Sequence, residues 1–418
     1  MMKNLAVAVL LLLFGCSSDS SVPQPIPTDP SVYYGSVGLS NQEEVDAFAA
    51  HEYIGITGDL DISSANAPLD LSGLHTLTFV NGLSIRHNTH LQTLHGLEHL
   101  QSIDQGALTI IGNFRLENID ALSQLTTVAQ AVYIMDNPLL QQLDGLAHVT
   151  SIGGALDVSR NESLLNVDGL SQVTQVGFWL RVWQNESLQS IDGLSGITAI
   201  NGALTIEGND GLTTLDGLQN IESGVENIVI QWNSNLVSID CLNLITNADS
   251  VSIGIPNTTT TFRCLNALAT VELSFGVSTG NSLLNWQSFE QLTTIGGFAY
   301  LDFGNVTNVD GFNNLQSVGG EFKLLDSHWI TNVDFLGHLS NLNGRLLISS
   351  CDALVNLDGL SNLDLVNGSL IVSSNASLVN FCGLQPLLQQ NGVAAEIQIY
   401  SNAFNPNATQ IIGGNCSL

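Results

Sequence analysis

The stretch that decides the fold is LDVSRNESLLNVDGL, residues 156–170. Leu156 and Val158 alternate with polar residues, which predicts a short strand with one buried face. Asn161 closes that strand, and the Asp-Gly pair at 168–169 makes a turn before the chain comes back. One such unit cannot bury its apolar face alone, so it must stack on similar units.

The unit recurs along nearly the whole chain. A Gly-Leu pair, or a close substitute for it, marks each turn at spacings of 23 to 25 residues. The marked pairs begin at residues 73, 96, 121, 145, 169, 193, 217, 241, 264, 288, 311, 335, 359 and 383. We therefore expect an all-β fold, a β-solenoid of about fourteen coils of 24 residues with a short N-terminal capping helix.

An asparagine recurs where the strand of each coil ends. These corner residues are Asn113, Asn137, Asn161, Asn185, Asn209 and Asn233. Stacked at equivalent corners, their amides can bond the coils on either side, as a buried polar group requires. We call this column the asparagine ladder.

The repeat resembles the receptor L-domain family, whose fold is a leucine-rich-like, right-handed β-solenoid. The match covers roughly residues 40–390, and residues 41–48 and 54–62 look like that family's capping helix and first strand. We expect Ser40 to cap the helix, with acidic residues in its first turn. The resemblance implies the fold and a habit of ligand binding, not receptor signalling. An ordinary leucine-rich-repeat horseshoe is the alternative, although the segment after each Gly-Leu pair is short and β-prone.

The N-terminus has the features of an export signal. Lys3 precedes an apolar run, residues 5–14, that is too short to span a bilayer. The following Leu-Phe-Gly-Cys, residues 13–16, resembles the lipobox of bacterial lipoproteins, which implies acylation of Cys16, for example with palmitate. An ordinary secretory signal is the alternative. Ser17 after the cysteine favours, by the same resemblance, the outer membrane of a Gram-negative bacterium.

The chain divides by composition and repeat into five parts. We expect a lipoprotein signal peptide at 1–15, a Ser/Pro-rich tether at 16–31, an N-terminal cap at 32–62, the repeat solenoid at 63–390 and a C-terminal cap at 391–418. The chain has 38 acidic and 8 basic residues, for a net charge of −30. This charge argues against nucleic acid and anionic lipid as partners, so the membrane is expected to be reached through the lipid anchor only.

The other five cysteines suggest two disulfides and one thiol. Cys241 and Cys264 share a repeat position in adjacent coils, where equivalent Cα atoms lie roughly 4.8 Å apart, a spacing that suits a disulfide. Cys382 and Cys416 flank the last coil and the tail, so we expect a bond that closes the cap. Cys351 stands where other coils carry the ladder asparagine, and we expect a buried free thiol. The absence of CxxC spacing argues against zinc and redox chemistry.

No catalytic signature interrupts the repeat. The sequence has no nucleophile elbow, phosphate loop or zincin motif, so we expect no enzyme. The remaining catalytic alternative, a β-helix enzyme acting on polysaccharide, requires a carboxylate pair that breaks the repeat inside a cleft. Histidines gather early in the chain and are expected to lie on the surface. They are His75, His87, His90, His95 and His99.

Aspartates also recur, directly before nine of the fourteen turn pairs. The clearest members are Asp144, Asp168, Asp192 and Asp216. The local explanation is that each carboxylate accepts backbone N–H bonds in its own turn. Like charges about 5 Å apart nevertheless repel by about 1 kcal/mol even in water, which a divalent cation would offset. Calcium is therefore a weak cofactor candidate, expected to raise thermal stability modestly.

Residues two and four positions before each ladder asparagine should point outward from the strand. Most are small or polar, namely Ser84, Thr109, Asp157, Ser159, Thr205 and Ser252. Large side chains stand out at or beside these positions. They are Tyr133, Met135, Arg160, Trp179, Arg181, Trp183 and Trp232. Exposed aromatic and Arg side chains dominate binding hot spots.

These large side chains lead to a functional expectation. We expect a surface-tethered, non-catalytic binding or adhesion lipoprotein with a glycan or protein ligand centred on Tyr133, Arg181 and Trp183. Replacing Arg181 with Ala should weaken binding and leave stability nearly unchanged. Two alternatives stay open: the rings pack over neighbouring loops, or the protein is a structural envelope component without a specific ligand.

Overall fold

The computed structural model describes residues 29–63, 65–283 and 285–418. The predicted signal peptide, the predicted acylation site Cys16 and the predicted tether as far as residue 28 lie outside the described residues. Among the described residues, no helix is long and apolar enough to cross a membrane.

Each coil has three sides, which the coil that contains Asn185 shows clearly. A short strand, Gln175–Val176, leads through a Gly corner into a second strand, Leu180–Trp183. The chain turns at Asn185 and returns along a third side that holds a 3-10 helix, Asp192–Leu194. Alternation in the second strand buries Leu180 and Val182 completely, as the period of two predicts.

The described residues contain twenty-eight strands, three α-helices and nine 3-10 helices. The strands are β1 Val32–Tyr33, β2 Val37–Leu39, β3 Gly55–Ser63, β4 Phe79–Arg86, β5 Ser102–Ile103, β6 Leu108–Ile111, β7 Thr127–Val128, β8 Val132–Met135, β9 Leu156–Ser159, β10 Gln175–Val176, β11 Leu180–Trp183, β12 Ala199–Glu207, β13 Ser223–Gln231, β14 Ser238–Cys241, β15 Asn247–Ile255, β16 Thr261–Cys264, β17 Thr270–Thr279, β18 Asn285–Gln287, β19 Thr294–Ile295, β20 Ala299–Asp302, β21 Asn308–Asp310, β22 Ser317–Val318, β23 Phe322–Leu325, β24 Asn341–Leu342, β25 Leu346–Ser349, β26 Leu365–Val366, β27 Leu370–Ser373 and β28 Ile397–Tyr400. The α-helices are α1 Gln42–Ala49, α2 Gln385–Gln389 and α3 Ala408–Ile412. The 3-10 helices are Ser72–Leu74, Asp120–Leu122, Asp144–Leu146, Asp168–Leu170, Asp192–Leu194, Asp216–Leu218, Asp334–Leu336, Asp358–Leu360 and Cys382–Leu384.

Neighbouring coils pair through parallel strands, in register with the repeat. Leu180 of β11 lies opposite Leu156 of β9 on one side and Leu204 of β12 on the other. Twenty-four of the described strands join in one sheet, and the remaining four form two separate pairs on the third side, β14 with β16 and β18 with β21. The apolar residues inside the coils form one continuous core. The prediction of an all-β solenoid is confirmed.

The asparagine ladder bonds successive coils from inside the corner. The Asn185 side chain donates from Nδ2 to the carbonyl of Val158 at 2.9 Å and to Oδ1 of Asn209 at 3.2 Å. Its own Oδ1 accepts the backbone N–H of Asn161 at 3.0 Å. We number the coils by these residues, so that coil 1 contains Asn88 and coil 7 contains Asn233. The ladder asparagines are fully or almost fully buried, and their amides are satisfied by adjacent coils.

The third side changes its form in the middle of the solenoid. At Gly193 an added Cβ would lie 2.1 Å from the carbonyl oxygen of Val167, so the stacked 3-10 turns leave no room for a side chain there. Cys241 and Cys264 replace this glycine, and their coils form paired strands instead. The aspartate in that region, Asp240, accordingly lies in a strand and not at the start of a 3-10 helix.

Both ends of the solenoid are closed. Helix α1 begins after Asn41, whose side chain accepts the backbone N–H of Glu44, so the prediction that Ser40 caps the helix is wrong by one residue. Ser40, the residue before the cap, instead donates its backbone N–H and hydroxyl to the Glu44 carboxylate. At the other end a disulfide joins Cys382 and Cys416, with Cα atoms 5.0 Å apart, as predicted.

Candidate binding surface

The predicted surface residues lie on the outer face of the sheet in coils 3 to 7. Register places Tyr133, Asp157, Arg181 and Thr205 in one row across adjacent strands. A second row, nearer the asparagine corner, runs Met135, Ser159, Trp183, Glu207 and Gln231. The sequence prediction of which residues share this face is therefore correct for both rows.

Asp157 organises the first row. Its carboxylate is only 1% exposed although it points outward from the sheet. Arg181 donates to Oδ2 through Nε at 3.0 Å and also through Nη2, while the Ser159 hydroxyl donates to Oδ1. The guanidinium lies 5.4 Å from the ring centroids of both Trp179 and Trp183. A buried carboxylate is thus paired with a cation that the two indoles sandwich.

A second ion pair lies one coil away. Arg160 contacts Asp136 through Nε at 2.5 Å and Nη2 at 2.6 Å, and its guanidinium lies 5.1 Å from the Trp183 ring. The hydrogen bond from Arg160 lowers the pKa of the Asp136 carboxyl below its ordinary value and raises that of the guanidinium. Both arginines that were predicted to face a ligand are therefore already paired within the chain.

The aromatic residues predicted to face a ligand in coils 3 to 5 are only partly exposed to solvent. The Tyr133 and Trp179 rings are 6.2 Å apart, and both residues, like Met135 and Trp183, are half-buried. Packing against neighbours, raised as an alternative from the sequence, holds for this part of the surface. The structure gives a reason to expect that Arg181→Ala lowers stability, contrary to the expectation from the sequence, because the buried Asp157 would lose its counter-ion.

Trp232 differs from the other large side chains. It is 69% exposed and occupies a left-handed backbone position, with φ at 54°. The equivalent corner positions in coils 6 and 5 are Gly208, with φ at 68°, and Gln184, with φ at 52°. Polar residues such as Asp136, Arg160 and Gln184 hold the same left-handed conformation at their corners, so Trp232 is distinguished by its exposed aromatic side chain.

A groove runs between Trp183 and Trp232, and we call it the Trp183–Trp232 groove. Its volume is about 500 Å³. The groove exists because Gly208 has no side chain, which leaves a gap in coil 6 between the residues of coils 5 and 7. The other residues that line it are Arg160, Glu162, Gln184, Glu186, Glu207, Asp210 and Ser234.

The opposite side of Trp232 faces a second, neutral groove of about 410 Å³. Gly254 in coil 8 lines it together with Pro256, Asn257 and Ser278. Trp232 therefore lines both grooves, and a glycine of the neighbouring coil also lines each of them.

The acidic residues of the groove were missed in the sequence, although a signal was there. Glu162, Glu186 and Asp210 each follow a ladder asparagine directly, in coils 4, 5 and 6. Equivalent positions in stacked coils lie about 4.8 Å apart, so the spacing alone predicts a column of carboxylates. Their place beside Trp232 could not be predicted without knowing how the corner turns.

The aspartates of the third side are exposed and do not form a metal cluster. Asp144, Asp168, Asp192 and Asp216 each begin a 3-10 helix. The expected bonding is wrong in one detail: the backbone carbonyl of Asp168, not its carboxylate, accepts the N–H three residues on, and Asn166 caps the Asp168 N–H. Within the described ranges, no group of three or more His, Cys, Asp or Glu could hold a metal ion. The calcium effect stays a prediction.

The remaining thiols and the histidines add no chemistry. Cys241 and Cys264 are buried thiols with sulfurs 2.7 Å apart, so the predicted disulfide is not formed in the structure, where the separation exceeds a bond of about 2.05 Å. Cys351 is a buried free thiol, as predicted, and burial raises its pKa to about 12. Of the early histidines, four are exposed and His90 is half-buried.

Comparisons with known proteins add little beyond the general architecture. No family model matches the chain, and no curated protein matches it significantly. An internalin from Listeria monocytogenes is similar in structure over 89% of this chain and 85% of that chain, with 16% sequence identity and a TM-score of 0.34. A likeness at that level says nothing about the ligand of this chain.

Proposed function

We propose that this protein is a non-catalytic binding module, tethered to the bacterial envelope through Cys16, that contacts an external glycan or protein ligand around Trp232. The observation that carries the proposal is the 69% exposure of Trp232 on a left-handed corner. A non-glycine residue at such a corner costs about 1–2 kcal/mol, and Gly208 occupies the same corner one coil away without that cost. Other left-handed corners carry polar residues, such as Asp136, Gln184 and Ser350, so an exposed aromatic side chain at this corner suits a binding role.

The surroundings of Trp232 support the same proposal. Concave sites with aromatic walls and a few polar groups are the usual form of ligand sites. Trp232 offers such a wall on both of its faces, and the paired Arg160 holds the Trp183 ring on the far side of the first groove. A rigid solenoid fixes these rings relative to each other, which lowers the entropy lost on binding.

A screen of immobilised glycans and peptides tests the proposal. The wild-type chain should give a saturable binder, and Trp232→Gly should weaken that binding about tenfold or more. The variant should not lose thermal stability, because glycine relaxes the corner. Ser350→Gly is the matched control, since it makes the same change on a left-handed corner outside the groove, where Ser350 has φ at 59°, and it should leave affinity within about twofold.

Three outcomes would contradict the proposal. Absence of any saturable binder would favour a structural envelope protein. A binder unaffected by Trp232→Gly would place the site elsewhere. Release of shortened glycan products, measured by mass spectrometry, would favour a polysaccharide-acting enzyme. The tether is tested separately: incorporation of a palmitate analogue should disappear in Cys16→Ala.

A further inference from the structure

The Trp183–Trp232 groove combines aromatic walls with carboxylates. Glu207 lies opposite Trp183 in the strand register, so it lines the groove on the sheet side. Glu162, Glu186 and Asp210 line it beyond the asparagine corner. The Trp183 ring already lies against Arg160 and Arg181, whereas the exposed Trp232 ring has no such cation in the described structure. Two kinds of group that attract cations, the face of the Trp232 ring and carboxylate oxygens, thus meet in one concave space.

The charge of the groove is not neutralised from within. Arg160 is the one cationic residue among those lining it, and its guanidinium is bound to Asp136 outside the groove. The Asp210 carboxylate accepts one hydrogen bond, from the backbone N–H of Ser234 at 3.1 Å. The groove therefore has a net negative charge, on a chain whose net charge is −30.

We propose that the Trp183–Trp232 groove binds an extended lysine- or arginine-rich polypeptide segment, with one cationic side chain between the Trp232 ring and the groove carboxylates; this rests on the proposed binding function. Charge complementarity selects this occupant. The groove and the whole chain repel anionic glycans and phosphate-bearing partners, and a neutral glycan would stack on the rings without using the carboxylates. A cationic side chain uses both groups at once.

The dimensions of the groove suit such a segment. Trp183 is in coil 5 and Trp232 is in coil 7, so two coil spacings, about 10 Å, separate the backbones that carry the rings. Alternate residues of an extended peptide are about 6.7 Å apart on one face. A strand laid along the solenoid axis would thus present one cation to the Trp232 ring and the next to the column of Glu162, Glu186 and Asp210.

Calorimetric titration with N-acetylated hexalysine amide tests the proposal on the full mature chain. We expect saturable binding that weakens as NaCl rises from about 0.05 M to about 0.5 M. The double variant Glu186→Gln/Asp210→Asn should lower affinity about tenfold. The matched control is Glu222→Gln/Glu226→Gln, which changes the charge equally at a smaller groove, about 260 Å³, that no tryptophan lines. The control should retain nearly all of the affinity.

A groove-filling variant tests the same point without touching a carboxylate. Gly208→Gln gives coil 6 the residue that coil 5 carries on the same left-handed corner, where Gln184 has φ at 52°. The protein should fold normally, and hexalysine binding should fall about tenfold because the added side chain occupies the groove. Hexalysine with acetylated side chains should bind neither the wild type nor Gly208→Gln, because contacts with an indole ring and with carboxylates both need the positive charge.

The outcomes separate this inference from the proposed function. If both double variants lower hexalysine affinity equally, the binding is general charge attraction and the inference is wrong. If a neutral probe, chitohexaose, binds and loses affinity in Trp232→Gly while hexalysine does not bind, the site is a glycan site: the proposed function stands and the inference fails. Unchanged hexalysine affinity in Gly208→Gln would also overturn the inference.

Discussion

Replacing Arg181 should destabilise the solenoid more than removing both partners of its ion pair. The change to test is Arg181→Thr, because Thr205 holds the equivalent place in the next coil. It leaves the Asp157 carboxylate, 1% exposed, without its counter-ion. Breaking a fully buried pair costs about 3–5 kcal/mol. The Arg181 side chain is 35% exposed, so water reaches the gap, and we expect about 2–3 kcal/mol.

The double-mutant cycle makes the reasoning testable. Asp157→Thr leaves an arginine that water can solvate and should cost about 1 kcal/mol. The double variant Asp157→Thr/Arg181→Thr has no buried charge and should lie within about 1 kcal/mol of the wild type. Urea unfolding gives the global change. Hydrogen exchange at the Val158 and Val182 amides gives the local one, which a repeat protein requires because distant coils can unfold separately. A double variant less stable than Arg181→Thr would refute the argument.

The remaining predictions concern the ladder, the pH response and the thiols. Asn185→Ala should lower the free energy of unfolding in urea by about 3–5 kcal/mol. It leaves two buried groups of coil 4, the N–H of Asn161 and the carbonyl of Val158, without hydrogen-bond partners. Cys351→Asn should stabilise by about 1 kcal/mol, because the thiol is 3.9 Å from the carbonyl that other coils bond through an amide. The pKa of the Asp136 carboxyl is below its ordinary 3.8 in the folded protein, so its ion pair stabilises fully above pH 3.8 and this stabilisation is lost as the pH falls further. The free energy of unfolding of an Arg160→Gln variant should therefore decrease less on acidification than that of the wild type. Cys241 and Cys264 should form a disulfide when the protein is treated with an oxidant, because their sulfurs are 2.7 Å apart. Peptide mapping without reduction detects the cross-link, and two free thiols after oxidation would refute this prediction.

The repeat made the core and the ladder predictable from sequence. A period of 24 residues places every equivalent residue at the same place in successive coils, so one unit such as residues 156–170 predicts all of them. The burial of Leu180, the asparagine ladder and the thiol of Cys351 follow from that periodicity alone. The bond between Cys382 and Cys416 was predictable because both flank the last coil.

The contacts that a long side chain makes on the surface could not be predicted from the periodicity of the sequence. Asp157 looks like an outward polar residue in the sequence, yet Arg181 and Ser159 bury it from the next coil and from its own strand. The contact with Arg181 joins different coils, and the geometry of both contacts depends on rotamers that no repeat pattern encodes.

The candidate site shows the same division. The sequence by itself determined which residues stack in columns, because strand spacing and repeat length are fixed by the backbone. Only the tertiary structure decided that Trp183 and Trp232 line one groove, with Gly208 in the coil between them. That arrangement depends on a left-handed turn at the corner, which rotates the Trp232 side chain out of the sheet and leaves an open groove where coil 6 has no side chain.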